Sequence, residues 1–145
     1  MYYYRFDEFK EDIERFSRQL GAYKPDIIVA IARGGVTFGH FLSEKLNLRA
    51  LYTLNSIHYD GTIKRDDILL CNIPEIPPDS KVLVVDDIVD SGDTMLEVMT
   101  TLRRIYPESD FKSGALFYKK SASFIPDFKV READRWIHFF WNKDE

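Results

Sequence analysis

Lys81-Val82-Leu83-Val84-Val85-Asp86-Asp87-Ile88-Val89-Asp90-Ser91-Gly92-Asp93-Thr94-Met95 is the stretch that decides the fold. Val82 to Val85 form a short apolar run dominated by β-branched residues, which reads as a strand buried on both faces. The strand ends in two adjacent carboxylates. Small polar residues then lead into Met95, Val98, Met99, Leu102, Ile105 and Tyr106, which recur at helical spacing until Pro107. The turn between strand and helix can cradle an anion. Ser91, Gly92, Asp93 and Thr94 present backbone N–H groups at a helix N-terminus, Gly92 lets the backbone come close, and Thr94 adds a hydroxyl. Asp86 and Asp87 suit sugar hydroxyls, or water on a hard cation such as Mg²⁺. Taken alone, the turn is also compatible with a plain capped helix, with Asp90 or Ser91 as N-cap and Asp93 favoured by the helix dipole.

Outward from this stretch the chain alternates. Phe6, Phe9, Ile13, Phe16 and Leu20 share one helical face, and Gly21 stops the pattern. Asp26 to Ala32 is a continuous apolar run bounded by Pro25 and by Arg33-Gly34-Gly35, which predicts a second buried strand. Val36 to Leu46 reads as a helix and Ala50 to Leu54 as a strand. Ser56 to Asp67 is polar and turn-rich, predicting a long loop or hairpin. Pro74, Pro77 and Pro78 keep the next segment irregular or at an edge. Gly114 to Tyr118 is one more strand, and after Lys119 the alternation is expected to stop. The pattern predicts an α/β domain with a mainly parallel central sheet flanked by helices, whose ligands bind beyond the carboxyl ends of the strands. The residues after Ala32 and after Val85 are therefore the places to look.

The whole chain of 145 residues fits a single domain, residues 1–145. It is 45% hydrophobic and 30% charged, which excludes a disordered chain. Its net charge of −4 argues against a nucleic-acid partner. Cys71 is the only cysteine and cannot form an internal disulfide, so a reducing, cytoplasmic setting is expected. No apolar run approaches the ~20 residues that span a bilayer.

From Val82 to Thr94 the chain resembles the type I phosphoribosyltransferases. Their diphosphoribose-binding signature is a hydrophobic strand, two acidic residues, two apolar residues and an acidic-Ser/Thr-Gly-x-Thr turn. The resemblance implies their fold, with a core over about residues 1–118 and a small C-terminal hood over about 119–145. It implies that Asp86, Asp87, Ile88, Val89, Asp90, Ser91, Gly92, Asp93 and Thr94 bind phosphoribosyl diphosphate, with Asp87 as metal ligand for Mg²⁺ and Asp90 as general base. Arg33 and Gly34 match the family's pyrophosphate loop, in which a cis peptide often precedes the basic residue; here that is the Ala32–Arg33 bond. Residues 56–67 match its closing catalytic loop, with Arg65 or Lys64 as the pyrophosphate contact.

The hood is most similar to the 6-oxopurine branch, in particular to short bacterial xanthine-guanine enzymes. Lys119 stands where that branch donates to purine O6. Trp136, seventeen residues later, stands where an aromatic stacks on the ring, and the carbonyl of Ile137 where the group on purine C2 is met. Lys120 and Ser121 depart from the small or Pro-containing turn expected after the lysine. His138 replaces a frequently acidic residue and would lie near purine C2. The resemblance implies a purine-salvage glycosyltransferase acting on xanthine or guanine, with hypoxanthine as a further substrate, and assembled as a homodimer or homotetramer. The alternatives are a regulator of the same fold that binds the diphosphate or a nucleotide, and a transferase for a different base.

Overall fold

The apolar run before the paired carboxylates lies at the middle of the sheet. In the computed structural model, which describes residues 1–58 and 67–144, the elements in chain order are β1 (Tyr2–Tyr4), α1 (Phe6–Leu20), β2 (Ile27–Ala32), α2 (Val36–Leu46), β3 (Leu51–His58), β4 (Ile68–Cys71), β5 (Lys81–Val89), α3 (Asp93–Ile105), β6 (Asp110–Tyr118), β7 (Phe128–Glu132) and β8 (Ile137–Phe139). Six strands form the main sheet in the order β4-β3-β2-β5-β6-β7. All neighbours run parallel except β3 and β4.

Strand alternation sorts the core into two layers. Ile28, Ala30, Leu83 and Val85 face Phe9, Ile13, Phe16, Phe38 and Leu42 of α1 and α2. Ile27, Val29, Ile31, Val82 and Val84 face Met95, Val98, Met99 and Leu102 of α3. Both faces are covered, which is why β2 and β5 read as unbroken apolar runs rather than alternating ones. Gly39 on α2 keeps that helix close to the sheet, since a Cβ there would fall 2.7 Å from the Ala30 methyl.

The strands differ from the sequence reading in several places, and β6 already begins at Asp110 rather than Gly114. β5 runs past the carboxylates to Val89, because β6 pairs with it as far as Val89↔Tyr118. β3 continues to His58, where an antiparallel partner meets it from Asn55↔Cys71 to His58↔Ile68. β3 thus takes up Ser56–His58, which the sequence reading gave to the loop or hairpin of residues 56–67; Lys64 and Arg65 lie outside the described residues. Beyond Lys119 the main sheet gains one more strand, β7, held to β6 at both ends. Asp127 accepts hydrogen bonds from the Ser113 amide (2.8 Å) and hydroxyl (3.1 Å), and the Ala133 amide donates to the Tyr118 carbonyl (2.8 Å). Finally, β1 and β8 pair in parallel as a separate two-stranded sheet, Tyr2↔Ile137 to Tyr4↔Phe139. This small sheet shares the core of the α1/α2 layer through Tyr4, Phe117, Ile137 and Phe139.

Candidate active site

Adjacent parallel strands bring the two loops together. β2 and β5 are in register at Ala30↔Val85, so the loops at their carboxyl ends lie side by side. The Ala32–Arg33 peptide is cis. Gly34 lies directly against the Asp87 carboxylate, where a Cβ would fall 2.5 Å from Oδ2. Gly35 is closed in by main chain instead, with the Val85 carbonyl 2.7 Å and the Ile31 carbonyl 2.9 Å from such a Cβ. Its amide donates to the Ile31 carbonyl at 2.8 Å and so turns the chain directly into α2.

The turn after β5 is shaped by main chain. Gly92 has φ +93° and is the N-cap of α3, with no side chain capping the helix from that position. The Ser91 hydroxyl accepts a hydrogen bond from the Asp93 amide at 3.2 Å and so caps the first turn of α3. A Cβ on Gly92 would fall 2.6 Å from the Phe124 amide nitrogen and 2.9 Å from that of Ser123. The neighbouring segment is tied in by Ser123, whose amide and hydroxyl both donate to the Ser91 carbonyl, at 2.7 and 3.0 Å. The result is a hollow of about 80 Å³ lined by Asp86, Ile88, Val89, Asp90, Ser91, Gly92, Thr94 and Met95 at the start of a helix. A helix N-terminus with a glycine-bent approach is a good receptor for a phosphate dianion.

Next to this hollow is a second cleft of about 210 Å³. Asp87, Ile88, Asp90 and Lys119 line one side; Arg135, Trp136, Ile137, Phe139 and Asn142 line the other. The Lys119 amide donates to the Val89 carbonyl at 2.9 Å, which holds the end of β6 against the end of β5. That contact lets Lys119 Nζ reach Asp90 Oδ1 at 2.7 Å. Trp136 is 72% exposed, so its indole is not core and is free to take a ring against it. On either side of β8 the Trp136 carbonyl and the Phe140 amide bond β1, at 2.8 and 3.0 Å. Strand alternation then turns the backbone groups of Ile137 and Phe139 to the opposite edge. Asn142 occupies those of Phe139, accepting from its amide and donating to its carbonyl, both at 2.9 Å. His138 does not line the cleft. It lies 5.5 Å from the Tyr3 ring and 3.6 Å from Asp144, because its side chain points opposite to those of Ile137 and Phe139.

The paired carboxylates are electrostatically strained. Burial first, then the charge of Asp87, pushes the Asp86 carboxyl well above the usual carboxylate range. Burial also raises Asp87, which is 8% exposed; hydrogen bonding from Asp86 and the Ile88 amide, the latter 2.7 Å from Oδ1, opposes the rise. Two carboxylates held close in a dry site favour a cation, and two oxygen ligands beside an open phosphate site are what Mg²⁺ ordinarily takes from a protein.

The structure thus gathers Arg33, Gly34 and residues 86–94 around one site, and places Lys119, Trp136 and Ile137 around the adjoining cleft. Phe139, Asn142, Ser123 and Phe124 escaped the sequence reading. They carry no motif, and only the folding back of the hood brings them near. Among the described residues no helix is long and apolar enough to cross a membrane.

A mainly parallel sheet with a hollow at a helix start beside paired carboxylates fits the phosphoribosyltransferases, and the chain belongs to that family: the phosphoribosyl transferase domain model matches residues 3–144. Among individual proteins, the chain is 35% identical over 128 residues to a xanthine-guanine phosphoribosyltransferase of Idiomarina loihiensis, covering 86% of this chain and 76% of that one. It superposes on the Helicobacter pylori xanthine-guanine-hypoxanthine phosphoribosyltransferase with a TM-score of 0.90 at 36% identity, covering 97% and 92% of the two chains. A purine phosphoribosyltransferase of Pyrococcus horikoshii gives 0.87 at 28% identity, with 99% and 95% covered.

Proposed function

We propose that this protein transfers 5-phosphoribose from phosphoribosyl diphosphate to N9 of a 6-oxopurine, releasing pyrophosphate and the nucleoside monophosphate. The Lys119–Asp90 pair is the observation that carries this reading. A 6-oxopurine presents O6 and N7 side by side on one edge. An ammonium and a carboxylate 2.7 Å apart match that edge, the first donating to O6 and the second accepting the N7 proton. Adenine would present an amino group to the lysine, donor against donor. Trp136 supplies the stacking face, and the Ile137 carbonyl accepts from a 2-amino group or a protonated ring nitrogen beside a 2-oxo group.

The remaining roles follow the chemistry of the groups. Amides of Ser91 to Thr94 hold the 5′-phosphate, Asp86 and Asp87 hold the ribose hydroxyls, and Arg33 with the Gly34 amide holds the diphosphate. Mg²⁺, when held by Asp87 with Asp86 behind it, supplies positive charge beside the leaving pyrophosphate. Asp90 takes the proton from N7 as N9 bonds the anomeric carbon and the bond to pyrophosphate breaks. The hood excludes water from that carbon. A cytoplasmic homodimer or homotetramer is part of the proposal.

The direct test is pyrophosphate release with xanthine, guanine, hypoxanthine and adenine in parallel. Turnover with one or more of the first three and none with adenine is expected. No turnover with any base, together with tight diphosphate or nucleotide binding, would point to the regulator. Lys119→Ala should raise KM for the base by about 10- to 100-fold, the worth of a charged hydrogen bond, and leave KM for the diphosphate within about twofold. Equal losses would contradict its role.

The carboxylate pair yields a stability prediction. Its raised titration means that the folded protein holds protons more tightly than the unfolded chain. The pair's contribution to the stability of the metal-free protein is therefore greatest in acid and is lost as pH rises from the ordinary carboxylate range through the raised values. Asp86→Asn keeps an acceptor for the Asp87 amide, now 2.8 Å from Asp86 Oδ1, and removes the charge. Scanning fluorimetry should show its metal-free Tm about 3 °C higher at neutral pH, while calorimetry shows weaker diphosphate binding. A lower Tm would contradict the electrostatic account.

A further inference from the structure

We infer that a cluster built on the buried Asp12, with Arg131 and Tyr4, none of which lines the base cleft, positions the purine-reading strand relative to Lys119, and so sets affinity for the base. The inference rests on the base site proposed above. β1 and β8 are three residues each and, among the described residues, have only one another as sheet partners. A two-stranded pair is marginal by itself, so something must fix where β8 sits. β8 carries Ile137 and follows directly on Trp136.

Asp12 on α1 is fully buried. Its Oδ2 accepts from the Tyr4 hydroxyl at 2.6 Å and from Arg131 Nε at 2.7 Å. Its Oδ1 accepts from Arg15 at 2.8 Å and from Arg131 Nη2 at 3.3 Å. The Arg131 guanidinium also lies 5.8 Å from the centre of the Tyr4 ring. A carboxylate at this depth is tolerated only with several charged or hydroxyl donors in place, and such a set holds only when its geometry is right.

The three partners lie on three different elements. Tyr4 lies on β1, opposite Phe139 of β8. Arg131 lies on β7, opposite Phe117 of β6, two residues before Lys119. Asp12 therefore joins the strand pair that presents the Ile137 carbonyl to β7, which pairs with the strand that leads into Lys119. The Tyr4 ring meets Phe117 and Phe139 edge-on, at 4.9 and 5.7 Å, so a shift of its hydroxyl is passed directly to both. Tyr2 adds a second, weaker tie. Its hydroxyl donates to Glu8 at 2.6 Å and accepts from Arg131 at 3.5 Å. None of Asp12, Arg131 or Tyr4 lines the base cleft, so they are positioning residues.

The test uses Tyr4→Phe, which removes one oxygen and keeps the ring, and Arg131→Lys, which keeps the charge and loses the fork. Steady-state kinetics and Tm are measured for each, beside Lys119→Ala. Both variants are expected to raise KM for the base about tenfold, with KM for the diphosphate within about twofold. A lower Tm with both KM values unchanged would make the cluster merely structural and overturn the inference; so would equal rises in the two KM values. If Lys119→Ala itself leaves base KM unchanged, it is the base site that has been misread. If Lys119→Ala responds and the two cluster variants do not, the inference alone fails.

Discussion

Asp90→Asn is expected to lower kcat by about 10²-fold or more with KM for the diphosphate within about twofold. The amide is nearly isosteric with the carboxylate and should leave the turn unchanged. It cannot take the N7 proton, however, and presents half of its hydrogen-bonding capacity as a donor. It also leaves Lys119, now 2.7 Å from Asp90 Oδ1, without its counter-ion. Single-turnover kinetics with saturating base separate the chemical step from product release. An unchanged single-turnover rate would remove Asp90 from the proton transfer.

The second large effect is expected from a pair of neighbouring glycines whose variants should fail differently. Gly34→Ala should fold and lose about 10²-fold in kcat/KM for the diphosphate, the usual cost of a misplaced reacting group. Its new methyl meets only the end of the Asp87 side chain, at 2.5–2.8 Å. That carboxylate can rotate away, and the site rather than the fold is damaged. Gly35→Ala should instead be destabilised by about 1–3 kcal/mol, because its methyl meets the carbonyls of Val85 and Ile31 in the sheet itself. Urea unfolding and diphosphate titration of both variants test the contrast. Equal loss of stability in the two would contradict it.

The parts of this fold that could be read from the chain are those with a local cause. β2 and β5 are unbroken apolar runs, α1 has its five-residue stripe and terminal glycine, and the turn from Asp86 to Thr94 carries its chemistry in consecutive residues. The contact of Gly34 with Asp87 and that of Lys119 with Asp90 follow once β2, β5 and β6 are laid side by side, and strand order is not a local property. The ends of the chain were harder. Tyr2–Tyr4 has no periodicity to detect and becomes a strand only because Ile137–Phe139 lies alongside. β7 carries three charged residues among its five and is recruited by Asp127 at one end and Ala133 at the other. His138 shows the limit from the other side. Its place in the chain predicts nearness to the base, while strand alternation turns it toward Tyr3.

The pairing of β1 with β8 also orders events during synthesis. Tyr2–Tyr4 leaves the ribosome long before Ile137–Phe139, and contacts so distant in sequence are the slow ones to close. β2, β5 and β6 are complete before the hood emerges, and the turn after β5 then needs only Ser123 to tie it down. On the assignment proposed here, the nascent protein acquires its grip on the sugar diphosphate before it can read a base. The tyrosine strand must meanwhile wait unpaired.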